Sequence, residues 1–281
     1  MSRQGFELKT NAQIILMREA GLATAAALAA VRKAAVAGVS TLQLDKIADD
    51  TINSMGGHSN FQLVPGYAHT ICSSVNDEIV HGIPTKERIL APGDILSVDC
   101  GAEIGEWNGD SAITIIVPGG EPSLVAKRQL LSDVTEQSLW VGIAALAKAT
   151  YLNEVGHAIE DFIESQEVLH RQKFGILEEY VGHGIGRSMH EDPPVYNYGV
   201  RDKGPKIAPG LVVAIEPMIT AGSAKTKILA DGWTVSTKDK SDASHWEHTI
   251  AIHDKGIWVL TEPDGGVAKL APLGVVPVAL G

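Results

Sequence analysis

Ala91-Pro92-Gly93-Asp94-Ile95-Leu96-Ser97-Val98-Asp99 and Ala208-Pro209-Gly210-Leu211-Val212-Val213-Ala214-Ile215-Glu216 are two copies of one phrase, and both end in a carboxylate. Each copy reads as a Pro-Gly turn feeding a short apolar strand, so two equivalent strands would each deliver one acid at the same structural place. A histidine precedes each copy, His81 in His-Gly-Ile-Pro and His183 in His-Gly-Ile-Gly. A further acid follows each, Asp110 before Ser-Ala-Ile-Thr-Ile-Ile-Val and Glu247 before His-Thr-Ile-Ala-Ile. Four acids and two histidines in matching half-sites have the composition of a metal site built by duplication across a pseudo-twofold axis.

The first pair of acids shows why a cation is needed. If Glu103-Ile104-Gly105-Glu106 makes a tight two-residue turn, Asp99 and Asp110 lie directly opposite on adjacent strands. Like charges at roughly 4.5–5.5 Å between Cβ atoms destabilise a ladder and raise one another's pKa unless something neutralises them. Glu216 and Glu247 would complete the cage from the second half, and His183 would add a nitrogen. Two metals about 3.5–4 Å apart can share bridging acids, so a dinuclear hydrolase follows. One imidazole among carboxylates suits Mn, Fe, Co or Zn without choosing among them. Any one of these acids alone is more often a cap or a surface charge. The paired pattern is what lifts them above that. His58, His69, His157, His170, His245, His248 and His253 are expected to be surface, capping or core residues.

The elements that must position these groups repeat as well. Asn11 can cap an Ala-rich helix running to about Val36, and Ser40 or Thr41 caps a second, with Leu44, Ile47, Ala48 and Ile52 on one side. Extended segments follow over 71–83, 95–102 and 107–117, and Pro118-Gly119-Gly120 closes the first half. The second half opens with helices from Glu121 to about Lys148 and from Asn153 to Gln166. Strands then return near Val181, 211–217, Thr234, 248–252 and 258–260. The fold class expected is α+β, with two duplicated αα-β halves and a curved, largely antiparallel sheet covered by helices.

With 281 residues and 44% hydrophobic content, one catalytic domain is expected over 1–281. Twenty-three basic residues stand against 34 acidic ones, and the net charge of −11 argues against nucleic acid as a partner. Cys72 and Cys100 are too few for a disulfide scaffold and fit a reduced, cytoplasmic compartment. No secretory signal is visible in Met1–Lys9, and the apolar stretch 21–31 is short of the roughly 18 residues of a membrane span.

The chain resembles the type I methionine aminopeptidases of the "pita-bread" metallopeptidases. The resemblance is carried by Asn76-Asp77-Glu78-Ile79-Val80-His81-Gly82-Ile83-Pro84, Val98-Asp99, Asn108-Gly109-Asp110, Gly182-His183-Gly184-Ile185-Gly186-Arg187-Ser188-Met189-His190-Glu191, Ile215-Glu216-Pro217, Asp231-Gly232-Trp233-Thr234-Val235 and Trp246-Glu247-His248-Thr249. It spans about residues 10–261. It implies two divalent ions, with Asp99 on one, Asp110 and Glu247 bridging, and His183 with Glu216 on the second. A metal-bridging hydroxide would attack the first peptide bond of a substrate whose free α-amine binds a metal, releasing N-terminal methionine from nascent chains. The implied catalytic groups are His190 at the carbonyl, His81 at the departing amine and Glu216 as proton acceptor.

By the same resemblance, Phe61, Tyr67, Cys72, Met189 and Trp233 would line the side-chain pocket together with His81 and His190. Val64 and Met189 stand where aromatic residues are frequent in the family, and Asn108 where His is frequent. The implied partners are N-termini of nascent polypeptides with transient ribosome association, without a zinc-finger or Pro-rich extension to mediate it, and the protein is expected to be a monomer with no membrane partner. The competing reading is an X-Pro aminopeptidase or dipeptidase of the same fold. A non-catalytic binding module would predict lost ligands, and none is lost. Residues 262–281, nearly uncharged, have no assigned role.

Overall fold

A computed structural model describes residues 5–281 of the chain, so the reading of Met1–Gln4 lies outside the described residues. Two pairs of helices dominate. Helix α1 (Asn11–Ala34) starts one residue earlier than expected, because Thr10 and Gln13 form a reciprocal capping box: the Thr10 hydroxyl accepts from Gln13 N–H, and the Gln13 side chain accepts from Thr10 N–H at 2.7 Å. Arg32 and Lys33 sit in its last turn, where the helix dipole favours cations. Ser40 and Gln43 build the same box for α2 (Thr41–Ser54). Glu121 caps α3 (Pro122–Leu146) by accepting from Ser123 and Leu124 N–H, with Pro122 preset for the first turn. Helix α4 (Glu154–His170) closes on the left-handed residue Arg171. By length and composition α1 could cross a membrane, but here its apolar side is buried against the sheet.

All the strand pairings among the described residues are antiparallel. In the first half Ile95–Ile104 forms a ten-residue hairpin with Trp107–Ile116 and pairs on its other edge with Ile71–Val75 and His58–Ser59. In the second half the order is Gly256–Val259, His248–His253, Val212–Ile215, Gly182–Gly184, Glu191–Val195. Two three-stranded sheets, one joining Ala243–His245 to Met218–Thr220 and Gly175–Ile176, the other joining Thr226–Ile228 to Val235–Thr237 and Glu78–Val80, bridge these units. Helices α1 and α2 pack together on the first half, and α3 and α4 pack together on the second. The α+β architecture with two αα-β halves is therefore present, although the sheet is divided rather than continuous.

The expected register of Asp99 and Asp110 is corrected by the structure. The turn is Gly105-Glu106, with Ile104 pairing Trp107, so Asp99 faces Ala112 and Asp110 faces Gly101. Gly105 takes φ +64°, which allows the turn to fall there. The two acids are diagonal neighbours on one face, not direct partners.

The hairpin is pinned from outside and from the second half. A Cβ on Gly109 would lie 2.6 Å from the backbone nitrogen of Gly21, so only glycine lets α1 approach the residue next to Asp110. Thr24 closes this contact by donating its hydroxyl to Gly109 O at 3.1 Å. Across the seam, Thr249 Oγ1 donates to Asp110 O at 2.8 Å and accepts from Asp110 N–H at 3.1 Å. Further along, Ser97, Thr114 and Ser244 join hydroxyls at 3.0 Å, and Thr114 donates to His245 O.

Residues 262–281 pack along the molecule. Arg18 donates to the carbonyls of Val259, Leu260, Glu262 and Pro263. Beyond a short helix at Val267–Leu270, Val278 N–H donates to Ile257 O, and Leu280 is buried with Ile14, Met17, Trp107, Ile185 and Trp258.

Candidate metal centre

The five expected ligands converge on one cavity of about 330 Å³, although they come from distant strands. Asp99 and Asp110 come from the hairpin, His183 from Gly182–Gly184, Glu216 from the end of Val212–Ile215, and Glu247 from the residue before His248–His253. Asp110, Glu216 and Glu247 are each less than a tenth exposed. His183 Nε2 lies 3.9 Å from Asp110 Oδ2 and 3.7 Å from Glu216 Oε1. Its Nδ1 sits 2.9 Å from Gly184 O, and a ring nitrogen facing a carbonyl must carry the proton. That bond leaves the Nε2 lone pair directed at the carboxylates.

Two groups have donor atoms within 4.8 Å of one another: Asp110, His183 and Glu247; and Glu216, His245 and Glu247. Glu247 belongs to both. Asp99 is in neither, but it lines the same cavity with His245 and Glu216 as its electrostatic neighbours.

His245, expected to be a surface, capping or core residue, is buried and shares a group of donor atoms with Glu216 and Glu247. It is 1% exposed, with Nε2 3.6 Å from Glu216 Oε2. Its position two residues before Glu247 was the available signal, since the donor atoms of both lie within 4.8 Å of one another.

The electrostatics of this cluster call for cations. Burial pushes the Asp99 carboxyl up to about 7 and the Glu216 carboxyl up to about 8. Burial, then the neighbouring acids, holds Asp110 and Glu247 well above the usual carboxylate range. Asp99 Oδ1, Asp110 Oδ1, Glu247 Oε1 and His245 Nε2 are buried without a hydrogen-bond partner. Among the described residues neither Lys nor Arg lines the cavity. Each buried acceptor left unpaired costs about 1–3 kcal/mol, and more when it is charged. The donor set of carboxylate oxygens and imidazole nitrogens therefore fits divalent cations.

One wall of the cavity is apolar. Phe61, Tyr67 and Cys72 are buried together, with Val64, Met189 and Trp233 packed against them. Tyr67 meets Trp233 at 5.2 Å between centroids and donates its hydroxyl to Ile71 O at 2.7 Å. All five expected pocket residues line the cavity, as do Val80, Tyr180, Val181 and Met218, which the motifs did not single out. His81 is held at φ +59°, uncommon for a residue with a side chain, and its ring meets the edge of Tyr180 at 5.4 Å. His190 meets the edge of His183 at 4.4 Å. Burial keeps both imidazoles below their ordinary range, His81 at about 4. Each is therefore neutral near pH 7, with one N–H to donate. Cys72 and Cys100 are free thiols, as expected.

Residues 15–254 match the profile of metallopeptidase family M24. The chain belongs to that family. It is 46% identical to methionine aminopeptidase 1 of Mycobacterium tuberculosis over 90% of this chain and 94% of that protein. It is 43% identical to methionine aminopeptidase 1 of Bacillus subtilis, over 90% and 98%. The crystal structure of methionine aminopeptidase from Thermotoga maritima superposes with a TM-score of 0.85 at 36% identity, covering 92% of this chain and 99% of that one. Prolidase from Pyrococcus furiosus shares the fold, with a TM-score of 0.69 at 18% identity, and this chain covers 65% of it.

Proposed function

We propose that this protein is a metal-dependent aminopeptidase that removes N-terminal methionine from nascent proteins and peptides in the cytoplasm, acting as a monomer. The observation that carries the reading is the junction of two surfaces in one cavity: buried carboxylates with unpaired oxygens on one side, and the Phe61–Tyr67–Cys72–Trp233 wall on the other. Asp99, Asp110, His183, Glu216 and Glu247 would hold two divalent ions of the Mn, Fe, Co or Zn class, with His245 behind Glu216. Bound there, such ions supply an acidified water and a Lewis acid for the peptide carbonyl.

The residues do the rest. The apolar wall takes an unbranched thioether side chain and so sets which bond is presented. Glu216 accepts and returns a proton. Neutral His190 donates its N–H to the carbonyl oxygen as negative charge develops on it. His81, on the same cavity, hydrogen-bonds the departing amine.

The test is cleavage of Met-Ala-Ser, Met-Pro and Ala-Pro peptides after metal stripping and add-back. Metal-restored release of methionine from Met-Ala-Ser is expected. Release from the Ala-Pro peptide alone would instead establish an X-Pro activity.

A further inference from the structure

The turn that carries Met189 and His190 into the cavity is anchored from a segment ahead of the first helix. Among the described residues His190 makes no protein hydrogen bond, so its placement depends on the backbone of its neighbours. Glu191 fixes that backbone. Its Oε1 accepts from Ser188 N–H at 3.1 Å, and its Oε2 meets the Lys9 ammonium at 2.5 Å. The Lys9 side chain is 2% exposed and that of Glu191 17%, so water does not reach the ammonium, while the carboxylate keeps a partly exposed edge.

Lys9 is itself held in place. Its backbone N–H donates to Gly210 O at 2.7 Å, in the second of the two Ala-Pro-Gly turns. Gly186 leaves room for the pair, since a Cβ there would lie 2.4 Å from Lys9 Cε and 2.7 Å from Glu191 Oε1. From the opposite side Asn108 Nδ2 donates to Gly186 O at 3.1 Å and to Arg187 O at 3.0 Å.

We propose that Lys9 is a positioning residue of the active site: through its ion pair with Glu191 it sets the backbone from which His190 reaches the substrate carbonyl. This rests on the reading of His190 as a substrate-facing group. Losing an ammonium this deeply enclosed removes the counter-charge of the half-buried Glu191 carboxylate, which is then drawn toward water at its exposed edge and shifts the turn it holds. A shift of about 1 Å in a catalytic group is worth roughly a hundredfold in rate.

The experiment is a double-mutant comparison on the metal-loaded enzyme with Met-Ala-Ser. Lys9→Met is expected to lower kcat about tenfold to a hundredfold, with KM within about threefold. In the His190→Ala background the same change is expected to cost less than about twofold, because the group it positions is gone. Histidine ring NMR of the metal-free protein should show the His190 signals moved by Lys9→Met and those of His245 unmoved. An equal loss in both backgrounds, or no loss in either, overturns the proposal. If Lys9→Met does not fold, Lys9→Met/Glu191→Leu, which removes both charges, takes its place with the same expectations. The outcome for His190→Ala alone separates the two claims: unchanged kcat overturns the reading of His190, whereas a crippled His190→Ala enzyme beside a fully active Lys9→Met enzyme overturns only the role of Lys9.

Discussion

Ala112 and Glu247 exchange backbone hydrogen bonds, Glu247 N–H to Ala112 O at 2.9 Å and Ala112 N–H to Glu247 O at 3.3 Å, and Ala112 is also the register partner of Asp99. Directly opposed residues share a face, so Asp99, Ala112 and Glu247 form one row across the hairpin and the segment leading into His248–His253, with Asp110 two positions along on the same side. A methyl group, fully buried, is all that separates the two outer acids. Ala112→Val should therefore wedge the site open, with about 1–3 kcal/mol lost in stability and at least a tenfold loss in metal affinity. Calorimetric titration of the stripped protein measures this, and wild-type affinity in the variant would count against the row as the scaffold of the centre.

Asp110→Asn should abolish metal-dependent turnover, by more than about a hundredfold, while the protein stays folded. The carboxyl it replaces is buried and crowded by Asp99 and Glu216, so the metal-free variant should melt no lower than metal-free wild type. Metal should no longer raise its Tm. Full activity in this variant would refute a bridging role.

Stripping metal should cost more stability at pH 8.5 than at pH 5.5. In the metal-free fold Asp99 titrates at about 7 and Glu216 at about 8, above their unfolded values near 4. The folded state thus binds more protons between those limits, and its stability falls as pH rises through 7–8. Thermal melts with and without chelator at both pH values provide the check. A chelation penalty that is flat with pH would contradict the burial of these groups as ionisable acids.

His248 should act in the opposite direction on the acid side. Burial lowers its pKa to about 3, and its Nδ1 lies 2.8 Å from the Thr261 hydroxyl. The unfolded chain takes up this proton near pH 6.5, so the contribution of neutral His248 is present above that pH and is lost as pH falls toward 3. Urea midpoints measured from pH 7 to 4 should decline less in His248→Asn than in wild type.

Met189 closes the apolar wall against Phe61, Tyr67 and Cys72. Met189→Ala should lower kcat/KM for Met-Ala-Ser about tenfold to a hundredfold, the scale of a few lost methylene contacts in a specificity pocket. Metal affinity should not change. Steady-state kinetics beside a metal titration separate the two effects.

Much of this centre was legible because duplication wrote it twice. The paired acids and the two Ala-Pro-Gly turns singled out Asp99, Asp110, Glu216 and Glu247, although Asp99 and Asp110 lie within long strands rather than at strand ends, and the helices followed from caps and periodicity. What escaped depended on geometry that periodicity does not encode. The hairpin turn fell at Gly105-Glu106 rather than at Ile104-Gly105, because glycine there accepts a positive φ, and the register of Asp99 moved with it. His245 was set aside as one histidine among seven, although it stands two residues before Glu247. The contact between Lys9 and Glu191 joins residues 182 positions apart, and no local pattern announces it.

Neither half of the polypeptide owns a complete set of ligands, and the two are joined by the exposed Gly119-Gly120 link, with φ of +94° and +91°. An ancestral single-unit protein could have held its ions only as a homodimer, with one copy reflected in each half of the present chain. The same logic makes this a natural split protein: severed at Gly119, the two fragments should find each other again across the hydroxyl-lined seam, with the cations as their glue.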